Sequence, residues 1–136
     1  MYRILNEPAI FMLDKARVEM WYNDAFSVMR NIIGAGKGLW GILHDGFLGM
    51  QSWEDSMPCA GRLALDVHQY IFFDQDLIRL SRADQAKFPC DVWSKDIQRS
   101  SIKFGPTVVG EFSSATNDCA TYLNGVGAGY RWDGTF

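Results

Sequence analysis

A chain of 136 residues has the length of one ordinary domain, and 48% apolar with 21% charged residues is the balance of a globular fold rather than a disordered one. The 13 basic and 16 acidic side chains leave a net charge of −3, with no Lys/Arg cluster able to track a phosphate backbone, so nucleic acid is not an expected partner. No apolar run reaches the roughly 18 residues of a membrane span, and Met1-Tyr2-Arg3 is not followed by the apolar stretch of a signal peptide.

Tyr2 to Leu5 reads as a short strand. From about Met12 to Ile33 the apolar residues Val18, Trp21, Tyr22, Ala25, Phe26, Met29, Ile32 and Ile33 recur at spacings of three and four, which predicts a helix stopped by Gly34 and Gly36. Leu39 to Leu43 is a second strand running into His44-Asp45. After a mixed stretch with Trp53 and Pro58, Arg62 to Val67 is a third strand ending at His68. Gln75 to Ser100 reads as helical, divided in two by Pro89. Thr107 to Val109 is a fourth strand ending at Gly110-Glu111, and a short helix is predicted from Asn117 to Leu123, closed by Asn124-Gly125.

Strands alternating with helices, each strand ending in polar residues, is the pattern of parallel βα units. Four such units are visible in one α/β domain, residues 1–136. A (β/α)8 barrel has eight, with its active-site residues at the C-terminal strand edge, so the chain is expected to be a partial TIM barrel of about four parallel units. Four strands leave two exposed barrel edges, through which copies of the chain are expected to self-associate.

Several chemistries are excluded by spacing. Cys59, Cys90 and Cys119 are odd in number and lack metal-ligand spacing. Glu54, Asp55, Asp74, Asp76, Asp84 and Asp91 are scattered without the tight alternation of a calcium loop, so no metal and no cofactor are expected. Gly34-x-Gly36-Lys37-Gly38 follows a helix rather than a strand and reads as a helix stop, not a phosphate cradle. Most of the five Trp and nine Phe must be core, given the area each buries.

What remains is a pair of carboxylates. Glu7, in Asn6-Glu7-Pro8, and Glu111, in Gly110-Glu111-Phe112, each follow a short apolar strand. Glycoside hydrolysis requires two: one protonated to serve the leaving oxygen, one ionised to face the anomeric carbon. Between them lie Leu43-His44-Asp45-Gly46-Phe47 and Asp66-Val67-His68-Gln69-Tyr70. After them come Asp118-Cys119-Ala120 and Leu123-Asn124-Gly125-Val126.

In that order these words resemble glycoside hydrolase family 5, and within it the fungal exo-β-1,3-glucanases. The resemblance covers nearly all of the chain and implies that its strands are the fourth to seventh of the barrel. It implies that Glu7 is the general acid/base, that Asn6 bonds the sugar 2-hydroxyl, and that Glu111 is the nucleophile of a retaining reaction on β-1,3-glucan from its non-reducing end. His68 and Tyr70 would line the sugar subsite, with the Tyr70 hydroxyl orienting Glu111. Phe47 and Phe73 would bracket the next sugar at the pocket mouth, with Asp45 contacting its hydroxyls. Val67 stands where a histidine is common. His44, Trp40 and Trp53 read as structural.

The resemblance also implies that Cys90 and Cys119 pair with cysteines nearer the C-terminus than Phe136, and that the full-length enzyme works outside the cell or in the cell wall. Its export signal would lie upstream, or else the chain stays in the cytoplasm. Two other readings stand beside this one: a catalytically silent remnant or sugar-binding fragment, and a cellulase- or mannanase-like activity sharing the same glutamate pair. The Leu-His-Asp-Gly-Phe and Asp-Cys-Ala-x-x-Leu-Asn-Gly words favour the exoglucanase branch.

Overall fold

The computed structural model describes residues 1–57 and 61–131. One sheet carries four strands in the order β1 (Tyr2–Arg3), β2 (Gly41–His44), β3 (Leu63–Gln69) and β4 (Thr107–Phe112). The strands are parallel, with Tyr2 opposite Gly41, Gly41 opposite Leu63 and His44 opposite Asp66. Sequential parallel order is that of neighbouring strands in a (β/α)8 barrel, and the fold is α/β with the architecture of a partial barrel.

Helix α1 (Lys15–Ile33) connects β1 to β2. It starts later than its apolar spacing predicts, because Asp14 accepts the Ala16 N–H as an N-cap and Ile10–Met12 form a separate 3-10 turn. Gly34, at φ 93°, ends it, with its N–H on the Arg30 carbonyl. The Arg30 guanidinium then donates to the carbonyls of Lys37, Leu39 and Arg62, which fixes the path from α1 into β2.

The chain divides into two compact units, Met1–His68 with Ser94–Gly110 and Gln69–Trp93 with Glu111–Phe136. The core of the first gathers Tyr22 and Phe26 of α1, Leu43 of β2, Leu63, Leu65 and Val67 of β3, and Ile10, Met50 and Trp53 from the connections. Strand side chains alternate faces, so the residues between, Ala64, Asp66 and His68, leave β3 on the side away from that core. In a barrel that is the interior face. The single apolar stripe read from α1 therefore splits. Tyr22 and Phe26 enter the core, while Trp21, Val28 and Ile32 line an open groove of about 490 Å³ with Tyr2 and Leu39.

Tyr22 is fully buried and donates its hydroxyl to the His44 carbonyl at 3.2 Å. Burial, with the Asp45 charge behind it, pushes this phenol up to about 12. The folded state thus keeps the proton where an unfolded tyrosine, near pH 10, has begun to release it. The resulting stability is complete below pH 10 and is lost as pH climbs from 10 to 12. Tyr22→Phe should cost about 1 kcal/mol at neutral pH. It should also flatten the alkaline fall, so urea-unfolding curves of the two proteins approach one another between pH 10 and 12.

In the second unit α2 (Gln75–Ile78) and α3 (Arg82–Phe88) are separate helices, capped by Asp74 and Ser81. Buried Gln85 donates to the Leu77 and Ile78 carbonyls and so ties the end of α2 to α3. Pro89 divides the helical segment as its ring suggests: α3 ends at Phe88, and Pro89 opens a π-helical turn, Pro89–Trp93, that runs on into α4 (Ser94–Lys103), with a further break at 79–81. The helix predicted at Asn117–Leu123 is a series of turns. Tyr122, at φ 65°, is left-handed there, and Asp118 draws the backbone to itself by accepting from Asn124 Nδ2 and the Arg131 N–H.

Candidate active site

The candidate residues stand at or near strand ends. Glu7 follows β1, His44 ends β2 with Asp45 next to it, His68 and Tyr70 stand at and just past the end of β3, and Glu111 lies in β4.

In the first unit, Glu7 reaches His68: Oε1 and Nδ1 are 2.6 Å apart, with the imidazole fully buried and the carboxylate partly exposed. Glu7 has a φ of 45°, a left-handed conformation uncommon for a side-chain-bearing residue. Asn6 meets the Arg3 guanidinium through its Oδ1. His68 stacks edge-on against His44, with ring centroids 4.3 Å apart at 85°. His44, read from the sequence as structural, thus lies beside His68.

The His44 Nδ1 accepts the Gly46 N–H at 2.9 Å. Asp45 is buried and accepts the Phe47 N–H, while its carbonyl accepts Trp53 Nε1–H at 2.9 Å. Burial pushes the Asp45 carboxyl above its ordinary value, against the pull of the Phe47 and Gly49 amides. Phe47 remains exposed, its ring 5.1 Å from His44.

Glu7, His44 and His68 offer ligand atoms within 4.8 Å of one another, the donor types a zinc-like ion accepts. The Gly46 N–H argues against that use. An imidazole accepting at Nδ1 carries its neutral-form proton on Nε2, which is then no ligand.

In the second unit the Tyr70 hydroxyl donates to Glu111 Oε2 at 2.9 Å. Tyr70 is flanked by Phe72 and Phe73 at 5.2 and 5.5 Å between ring centroids. The Arg131 guanidinium lies over the Phe73 ring at 4.9 Å, so one face of this partly exposed aromatic is occupied by a cation within its own unit. Cys90 and Cys119 are exposed, and Cys59 lies outside the described residues.

The chain has relatives among known enzymes. It is 40% identical over 140 residues to a protein of Aspergillus flavus named probable glucan 1,3-beta-glucosidase D, and 39% identical over 139 residues to glucan 1,3-beta-glucosidase 2 of Schizosaccharomyces pombe. A probable glucan 1,3-beta-glucosidase D of Aspergillus niger is 37% identical. All three bear the name of a glucosidase. Each alignment takes in 99% of this chain but only 16%, 23% and 16% of the relative, so the chain spans less than a quarter of their length. No family model matches it.

Asp66 and Arg3 form an ion pair beside His68 to which the reading of motifs gave no role. Asp66 is fully buried inside the otherwise apolar run Leu63–Val67, with Arg3 Nη2 at 2.5 Å from its Oδ2. A charge in the middle of a buried strand is the sequence signal that could have found it.

Proposed function

We propose that this chain carries the acid/base and nucleophile of a retaining β-1,3-glucan hydrolase of the family 5 type, releasing glucose from non-reducing ends outside the cell or in its wall. What supports this reading is the unlike setting of the two carboxylates. Glu7 faces an imidazole nitrogen at 2.6 Å, a partner that can exchange a proton with it. Glu111 accepts a hydroxyl, a partner that orients a carboxylate while leaving it ionised.

The division of labour follows. Glu111 attacks the anomeric carbon as Glu7 protonates the departing glycosidic oxygen, forming a covalent glycosyl-enzyme. Glu7, now a base, takes a proton from water, which displaces Glu111 and restores the starting configuration. Tyr70 holds the Glu111 carboxylate in line. Asn6 beside Glu7 serves the 2-hydroxyl, and the exposed ring of Phe47 and the open side of Phe73 offer stacking surface to the next sugar. The names of the relatives favour a 1,3-linked glucan over cellulose or mannan.

The test is stereochemical. Proton NMR of laminarin digested by the complete protein should show β-glucose before mutarotation sets in. Initial α-glucose would mean a single displacement by water and would overturn the reading.

A further inference from the structure

A buried chain of charges stands behind Glu7, all of it within the first unit. Asp66 precedes His68 by two residues on β3, so both side chains leave the same face of the strand. On one side, Asp66 Oδ2 meets Arg3 Nη2 at 2.5 Å. On the other, the same oxygen lies 3.6 Å from His68 Nε2, while His68 Nδ1 lies 2.6 Å from Glu7 Oε1. The imidazole and the Asp66 carboxylate are both fully buried.

We infer that Arg3 and Asp66 are positioning residues that keep a proton on His68 Nε2, so that a second proton is held between His68 Nδ1 and Glu7 Oε1, ready for the leaving oxygen. The inference deepens the proposed role of Glu7 and rests on it.

The opposite arrangement has the only imidazole proton on Nδ1, donated to an ionised Glu7. It would turn the bare lone pair of Nε2 toward a carboxylate oxygen 3.6 Å away, both side chains being fully buried. Two facing acceptors in a low-dielectric interior repel, whereas Nε2–H facing the same oxygen is attracted. At 3.6 Å the contact is too long for a hydrogen bond, so Asp66 acts through its charge. Arg3 tempers that charge. Other groups facing His68 include His44, edge-on at 4.3 Å, and Asp45, whose charge also bears on the ring. His44, accepting at Nδ1, carries its own neutral-form proton on Nε2.

Gly110 fits the same account. A Cβ at that position would stand 2.2 Å from Asp66 Oδ1 and 2.6 Å from Arg3 Nη2. The glycine next to Glu111 therefore leaves the space that the ion pair fills.

The chain has two histidines, which makes the test direct. In the ¹⁵N-labelled full chain, long-range proton–nitrogen spectra, assigned with His44→Gln, should show His68 Nε2 protonated throughout pH 5 to 8. A bare Nε2 with the proton on Nδ1 overturns the inference, whatever the activity. Asp66→Asn should move the basic limb of kcat/KM on laminarin to lower pH. Arg3→Gln should move it to higher pH. A merely structural brace would lower activity without opposite displacements, so shifts of one sign or none would also overturn it. Should either variant fail to fold, the wild-type ring spectrum decides alone. If Glu7→Ala leaves glucan hydrolysis intact, the acid/base role fails, and the ring spectrum still judges the proton placement separately.

Discussion

Glu111→Ala is expected to abolish hydrolysis of β-1,3-glucan by the complete protein, while Glu7→Ala should retain turnover on an aryl glucoside whose leaving group departs without a proton. Removal of the nucleophile takes away the atom that forms the covalent intermediate and leaves the Tyr70 hydroxyl without the carboxylate it orients. Removal of the acid costs the proton-transfer contribution, about 10²–10⁴-fold, on substrates that need it. On an activated aryl glucoside the first step survives Glu7→Ala, and the glycosyl-enzyme should accumulate because its hydrolysis lacks a base. A burst of released phenol followed by a slow steady state is the kinetic sign. External azide, which needs no general base, should then speed turnover and give a β-glycosyl azide. Equal and complete loss in both variants on both substrates would refute the assignment, as would full activity of either on glucan.

Trp53→Ala should produce the largest loss of stability. The indole is fully buried, packs against Tyr22 with ring centroids 5.7 Å apart, and donates Nε1–H to the Asp45 carbonyl. Truncating a buried tryptophan costs about 3–5 kcal/mol, a large part of the 5–15 kcal/mol a domain has. The Asp45 carbonyl would lose its donor as well. Trp53→Phe keeps a ring against Tyr22 and should cost only about 1–3 kcal/mol, most of it for the lost hydrogen bond. Urea unfolding of the three proteins checks the order. An alanine variant no less stable than the phenylalanine variant would show that the indole is not what holds the 45–53 connection. Because Asp45 and Phe47 lie in that connection, a folded Trp53→Ala protein should also bind glucan more weakly.

Much of the fold was legible because its local signals are strong. The three- and four-residue spacing in α1, the glycine stop at Gly34, and the near-continuous apolar run of β3 each express backbone geometry through neighbours in sequence. Where the reading failed, a local signal was outbid. A short helix closed by Asn124-Gly125 was expected over Asn117–Leu123, but Asp118 and a left-handed Tyr122 turn the chain instead.

The site divides in the same way. Glu7, Glu111, His68 and Tyr70 could be named from the sequence because each stands in a short word at a strand end, where parallel βα units place polar groups. The resemblance also implied the pairing of Tyr70 with Glu111, but not that of Glu7 with His68. Glu7 and His68 are 61 residues apart, and only the β1-β2-β3 order, with one side-chain face per alternate residue, brings the imidazole to the carboxylate. The same register puts Arg3 against Asp66 and requires Gly110 to lack a side chain. Residue types and strand ends are local properties of the chain, set by propensity and period. Which nitrogen faces which oxygen, and hence where a proton rests, depends on distances across the sheet that only the folded backbone sets.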